Sequence, residues 1–140
     1  HVQGGLLANE ITNITGASSV FPGSLVTYSN NTKVKYGVDK IVIARYSVYS
    51  KETAREMARA VASEFGTDWG IGVTGQLGRR DPLNPGIKTN QVFYSFFNSN
   101  RNKFYNYRIE LEESDRFSKK YDVVKDIVKN FELILRGGSQ

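Results

Sequence analysis

The sequence predicts an α/β fold, a three-layer α/β/α sandwich around one mixed sheet. Three observations carry this expectation. Short β-branched runs alternate with longer stretches of helical periodicity. A hairpin of two strands precedes the last helix. The 140 residues, 39% of them apolar, suit a single domain that buries roughly two-thirds of its unfolded surface in one core.

The elements follow in order. Gly4-Gly5 lead into residues 6–14, where Leu7, Ile11 and Ile14 recur at helical spacing, so the glycine pair stands at a helix N-terminus. Free backbone N–H groups there suit an anion, and a simple tight turn explains the glycines equally well. Gly16-Ala17-Ser18-Ser19 reads as a turn, and residues 20–29 as a buried strand bent at Pro22-Gly23. Residues 30–36 form a short helix closed at Gly37.

Ser50 caps a helix that runs through Phe65, with Glu52 in its first turn and Ala54, Met57, Ala58, Val61, Ala62 and Phe65 on its apolar face. Met57 is core packing. Residues 69–74 form a short strand whose glycines, Gly70 and Gly72, call for a closely packed neighbour. A loop over residues 75–88 carries Gly78, Pro82, Pro85 and Gly86, and its length marks it as functional or mobile.

Residues 91–98 and 103–112 make a hairpin around Ser99-Asn100-Arg101-Asn102. In the second strand Tyr105, Tyr107, Ile109 and Leu111 alternate with Asn106, Arg108, Glu110 and Glu112, one buried and one wet face, as for an antiparallel strand near a sheet edge. The last helix spans residues 114–135 with Phe117, Tyr121, Val124, Ile127, Val128, Phe131, Ile134 and Leu135 as its core stripe. The tail Gly137-Gly138-Ser139-Gln140 is expected to fray.

Composition narrows the function classes. There is no cysteine, which excludes disulfides and thiolate metal sites and suits a reducing compartment, with the cytoplasm as default. No apolar run reaches the ~20 residues that span a bilayer, so no membrane partner is expected. Nineteen basic against fourteen acidic residues give +5 and attract phosphate-bearing small molecules or, less specifically, nucleic acid. Arg79-Arg80 and Lys88 lack any accompanying nucleic-acid signature, so a solvated loop is the plainer reading. His1 is the single histidine and sits at the chain start, which disfavours a Ser-His-Asp triad or a histidine metal site.

Three polar constellations remain: Val26-Thr27-Tyr28-Ser29-Asn30-Asn31-Thr32-Lys33, Thr74-Gly75 at a strand end, and Asp115-Arg116 opening the last helix. In open α/β sheets such side chains converge beyond the carboxyl ends of strands. Ser29 and Lys33 lie at i and i+4 if this stretch is helical, a hydroxyl–lysine pair able to activate a nucleophile or water. The alternative is an N-cap serine and a solvated surface lysine. Thr74-Gly75, with Gly78 beyond, reads as a turn offering N–H groups and a hydroxyl to a phosphate or oxyanion. Arg116 is either paired to Asp115 or Glu113 or a phosphate clamp.

Gly4-Gly5-Leu6, Gly16-Ala17-Ser18-Ser19-Val20-Phe21, Val26 to Lys33, Gly37-Val38, Val48-Tyr49-Ser50, Val73-Thr74-Gly75 and Ser114-Asp115-Arg116 together resemble the CinA C-terminal domain family in order and spacing along nearly the whole chain. The resemblance implies a mixed, about five-stranded sheet and, in active members, hydrolysis of the carboxamide of nicotinamide mononucleotide to the acid and ammonia, with no metal and no cofactor. By position it assigns Lys33, Tyr28, Ser18, Thr74 and Arg116 to catalysis and nucleotide binding, and Asn30, Gly75, Gly4 and Gly5 to the same pocket. Ser29 joins the catalytic candidates.

The chain departs from the family pattern in two places. Family members carry glutamate-serine-cysteine-threonine before the glycine pair, and here His1-Val2-Gln3 stand there. The first strand of the family sheet is expected to be missing, in a chain either truncated or divergent. The second glycine-rich motif is replaced by Thr74-Gly75-Gln76-Leu77-Gly78-Arg79-Arg80-Asp81-Pro82. These departures motivate an alternative, a catalytically degenerate module that binds a nucleotide or a protein partner. Homo-oligomerisation is expected through the tyrosine-rich strand at residues 104–107.

Overall fold

Ser50 stops the chain in extended geometry and its hydroxyl accepts from the Thr53 N–H at 3.1 Å, so the helix α1 (Lys51–Phe65) starts one residue after the predicted cap. Gly66 ends it in the left-handed region, φ 62°, with its N–H donated to the Ala62 carbonyl. In this computed structural model the described residues are 24–26, 49–76, 90–112 and 115–137. Besides α1 they contain β1 (Ser24–Val26), β2 (Trp69–Gln76), β3 (Gln91–Asn98), β4 (Lys103–Glu110) and α2 (Arg116–Leu135). The expected helices at 6–14 and 30–36 lie outside them, as do the expected loop at 75–88 beyond Gln76 and the expected tail at 137–140 beyond Gly137.

The four described strands form one sheet in the order β1-β2-β3-β4. β1 runs parallel to β2, with Val26 beside Val73, and the other neighbours are antiparallel. The class is α/β and the sheet is mixed, as the sequence predicts. β4 lies at the edge of this described sheet, again as predicted.

The two helices take opposite faces. Ile71 and Val73 turn their side chains towards α2, where Val92, Tyr94, Phe96 and Tyr105 join Val123, Val124, Ile127, Phe131 and Ile134 in the main core. Gly70 and Gly72 face α1. A Cβ on Gly70 would sit 1.9 Å from the Ala58 carbonyl oxygen and one on Gly72 2.2 Å from that of Ala54. The helix backbone therefore rests directly on the strand, which only glycine permits.

Two predicted core residues are exposed. Gly72 meets Ala54 and Gly70 meets Ala58, so each two-residue step along β2 matches one helical turn. By that march Phe65 overhangs the start of β2, and it is 61% exposed. Tyr121 is 40% exposed and packs under the Lys125 ammonium instead, 5.5 Å from its ring. Val123, absent from the predicted stripe, is fully buried in its place.

Candidate functional site

Parallel pairing sends β1 and β2 out of the sheet at the same edge. Two antiparallel steps give β4 the same direction, so Glu110 ends there too and the chain turns through Asp115 into α2. α2 then runs back across the sheet: Tyr94, midway along β3, bonds Asp126, and Trp69, at the far end, packs edge-on against Phe131. α1 also has its amino end at this edge, since Ala54 lies over Gly72 and Ser50 is one turn further on, level with Thr74. Strand carboxyl ends and the amino ends of both helices thus meet along one margin. Helix dipoles and unpaired N–H groups make it favourable for anions.

β2 does not break after Thr74 as the sequence suggests. Thr74 and Gly75 lie within the ladder, opposite Phe93 and Val92, and the strand continues to Gln76. The glycine is a packing requirement, because a Cβ there would stand 2.7 Å from Val92 Cγ2 and 2.8 Å from the Gln91 carbonyl oxygen. Ser99 donates its N–H to the Asp68 carbonyl at 2.8 Å, which fixes the bonded pairs of this ladder on the even-numbered residues of β2. Gly75 consequently turns its N–H and C=O away from β3, to the side on which β1 ends at Val26. Thr74 is 2% exposed with its side chain on the α1 face, and in the first turn of that helix the buried hydroxyls of Ser50 and Thr53 bond each other at 3.1 Å.

Asp115 caps α2 with one carboxylate oxygen on the Ser118 N–H at 2.9 Å and the other on the Ser118 hydroxyl at 2.7 Å. Arg116 is the first residue of that helix. Lys119, which sequence reading passed over, lies in the same turn and is 2% exposed. Its burial is unusual for a lysine; the signal available in the sequence was a first turn that contains cations and no acidic residue. Cations at a helix amino end oppose the dipole by ~0.3–1 kcal/mol each, a placement that an anionic ligand would reverse.

The structure thus gathers Thr74, Gly75 and the backbone of Arg116 at one edge. Gly4, Gly5, Ser18, Tyr28, Ser29, Asn30 and Lys33 lie outside the described residues, as does the Arg116 side chain. Among the described residues no group of three or more acidic or histidine side chains is placed to hold a metal. A groove of about 510 Å³ lined by Arg59, Ser63, Thr67, Asp68, Ser99 and Asn100 occupies the opposite end of the sheet and shares nothing with this margin.

The model of the CinA C-terminal domain matches residues 2–125. The chain belongs to the CinA C-terminal domain family. It is 53% identical over 76 residues to a Moorella thermoacetica protein named as competence-damage inducible, and 45% identical over 76 residues to a CinA-like protein of Kosmotoga olearia. Each match takes in 54% of this chain and 18% of the relative, so the chain spans a minor part of those longer proteins. Among solved structures, a competence or damage-inducible protein from Enterobacter asburiae superposes with a TM-score of 0.80 at 19% identity, over 95% of this chain and 82% of that one. A CinA superfamily protein from Klebsiella pneumoniae gives 0.81 at 19% identity, over 96% and 82%. At such identities the likeness speaks for the CinA fold. No described helix is long and apolar enough to cross a membrane.

Proposed function

We propose that this CinA-family chain is an amidohydrolase that removes ammonia from the carboxamide of nicotinamide mononucleotide or a closely similar phosphate-bearing pyridine nucleotide, on an α/β/α sandwich of the family type with a mixed, about five-stranded sheet. The observation that carries the reading is the sheet edge where Thr74, Gly75 and the end of β1 meet the amino end of α2, whose first turn starts at Arg116 and holds the buried Lys119. A phosphate bound there would face the positive end of the α2 dipole and the cations of its first turn.

The chemistry needs no group beyond water and the side chains already named. Water attacks the amide carbon and gives its proton to Lys33, the base. The tetrahedral oxyanion is held by hydroxyl and N–H donors from Ser18 or Ser29, Thr74 and Gly75, with Tyr28 a further catalytic side chain and Asn30, Gly4 and Gly5 contributing to substrate binding. The C–N bond then breaks, and ammonia leaves with the proton that Lys33 returns. Loss of one oxyanion donor raises the barrier by about 3 kcal/mol.

Ammonia release from nicotinamide mononucleotide tests the reading directly. Turnover is expected, abolished by Lys33→Ala and shifted to higher KM by Arg116→Ala. No release at high protein concentration, with Lys33→Ala indistinguishable from the parent, would overturn it.

A further inference from the structure

β4 is bonded on one side only among the described residues, and its bonding parity is fixed. The Leu111 N–H donates to the Asn90 carbonyl at 2.8 Å, one step beyond the Gln91–Glu110 pair of the β3–β4 ladder. In an antiparallel ladder bonded and non-bonded pairs alternate, so the odd-numbered residues of β4 bond inwards to β3. Phe104, Asn106, Arg108 and Glu110 direct their backbone N–H and C=O groups outwards. Eight residues of regular edge strand are a template for another strand.

A second observation selects the partner. On the α1 face the Arg55 guanidinium lies 4.4 Å above the Phe104 ring. Its buried Nε has no hydrogen-bond partner, the one such side-chain nitrogen or oxygen among the described residues. A buried polar group left in this way is costly, and a carboxylate beside Phe104 would satisfy it.

We propose that β4 pairs antiparallel with β4 of a second copy of this chain, about a two-fold axis through Tyr107, joining the two sheets edge to edge. A two-fold axis perpendicular to the sheet keeps the two α1 faces on one side and brings outward-bonding residues opposite outward-bonding residues. With Tyr107 on the axis, Glu110 of the second copy falls opposite Phe104, beneath Arg55. A shift of the axis to Asn106 would instead bring Arg108 of the second copy under Arg55, cation against cation.

The other face agrees with this register. Tyr107, half-buried and stacked on Tyr94 at 5.1 Å, meets its own copy, and Tyr105 meets Ile109 of the second copy, pairs of the kind that stabilise sheets. Glu110 keeps lone pairs for this role, since among the described residues its carboxylate accepts one long bond, from the Gln91 amide at 3.4 Å. The two Arg108 residues lie on the exposed face at a diagonal distance of roughly 7–8 Å, where repulsion is screened.

Sedimentation of the wild-type chain and of three variants tests the proposal. The wild-type chain should dimerise. Arg108→Pro removes an outward N–H and leaves the β3–β4 ladder intact, so it should be monomeric with an unchanged circular dichroism spectrum. Glu110→Arg should weaken the dimer at least about tenfold, and Arg55→Glu added to it should restore association. The chain has no cysteine, so Tyr107→Cys supplies a single thiol at the axis, where a non-bonded pair separated by about 4.5 Å at Cα suits a disulfide. Oxidation should link Tyr107→Cys into dimers far faster than Ser63→Cys, a control on α1. A monomeric wild-type chain at its highest soluble concentration, or cross-linking of Tyr107→Cys no faster than the control, would overturn the proposal even if a proline variant failed to fold.

Discussion

Replacing Gly72 with alanine adds one methyl group and should cost more than the loss of most larger surface side chains. The new Cβ would lie 2.2 Å from the Ala54 carbonyl oxygen, 2.6 Å from the Ala58 nitrogen and 2.7 Å from the Met57 Cβ. Ordinary contact begins near 3.4 Å, so the closest approach is about 1.2 Å short, and two of the three obstacles are backbone. No rotamer change can relieve that. α1 has to lift from β2, which loosens Ala54, Met57, Ala58 and Val61, all buried against the sheet. Overpacking of this kind costs ~1–3 kcal/mol, and a rigid backbone obstacle places Gly72→Ala at the upper end. The gain of ~0.5–1 kcal/mol from a less flexible unfolded chain offsets only part of it. Gly70→Ala meets the same helix at 1.9 Å, so lifting α1 once accommodates both and the double variant should cost less than the sum. Urea unfolding monitored by Trp69 fluorescence reads these differences. A Gly72→Ala variant within 0.5 kcal/mol of the parent would refute the packing argument.

Four further outcomes are expected. Tyr94→Phe removes a buried hydroxyl that donates to Asp126 and accepts from the Asn130 amide, and should lose ~1–3 kcal/mol in urea titration. The same hydroxyl is held well above the ordinary tyrosine range, first by burial and then by its bond to Asp126, so only the unfolded chain ionises near pH 10; stability should be fully present below that pH and fall by about 1.4 kcal/mol per pH unit above it, a limb that Tyr94→Phe should reduce. Asp115→Ala frees the Ser118 N–H and hydroxyl and should cost ~1 kcal/mol of thermal stability, visible as a lower Tm. Lys119→Gln should raise the KM for a nucleotide substrate while leaving kcat largely unchanged, and an unchanged KM would detach this lysine from the ligand.

Local signals were legible where local physics decides. Ser50 and Asp115 could be read as helix starts because each meets a backbone demand three residues on. Gly70 and Gly72 could be read because a strand loses side-chain packing at glycine unless something presses on it. Gly75 misled, since a glycine after a threonine also suits a turn; its true cause, the proximity of Val92, depends on a strand fifteen or more residues later. The Tyr94–Asp126–Asn130 network was equally out of reach, because a strand tyrosine carries no mark of the helix 32 residues on that accepts its hydrogen bond. Lys119 could not be distinguished from a solvated lysine by pattern alone. The identities at the candidate site came from likeness to a family, while the edge shared by Thr74, Gly75 and the start of α2 came from topology.

That edge has a mechanical basis as well as an electrostatic one. A site that stabilises a developing charge works only if its dipoles are already aimed, since reorienting them during reaction costs what their attraction gains. Here the two helices are held to the sheet by different means. α1 is fixed by backbone-to-backbone contact through Gly70 and Gly72, which leaves no compliant side-chain layer. α2 is fixed by a ring cluster in which Phe131 stacks on Phe96 at 5.0 Å and meets Trp69 edge-on at 5.4 Å, with the Tyr94–Asp126 bond as a polar pin. Neither clamp involves a residue at the margin, so the amino ends of both helices and the carboxyl end of β2 are held from below. It follows that variants deep in either clamp, far from any ligand, should lower kcat as well as stability, whereas cations at the margin should act mainly on KM. A Gly72→Ala protein that is less stable yet retains full kcat under folded conditions would separate the two roles and show that α1 does not aim the site.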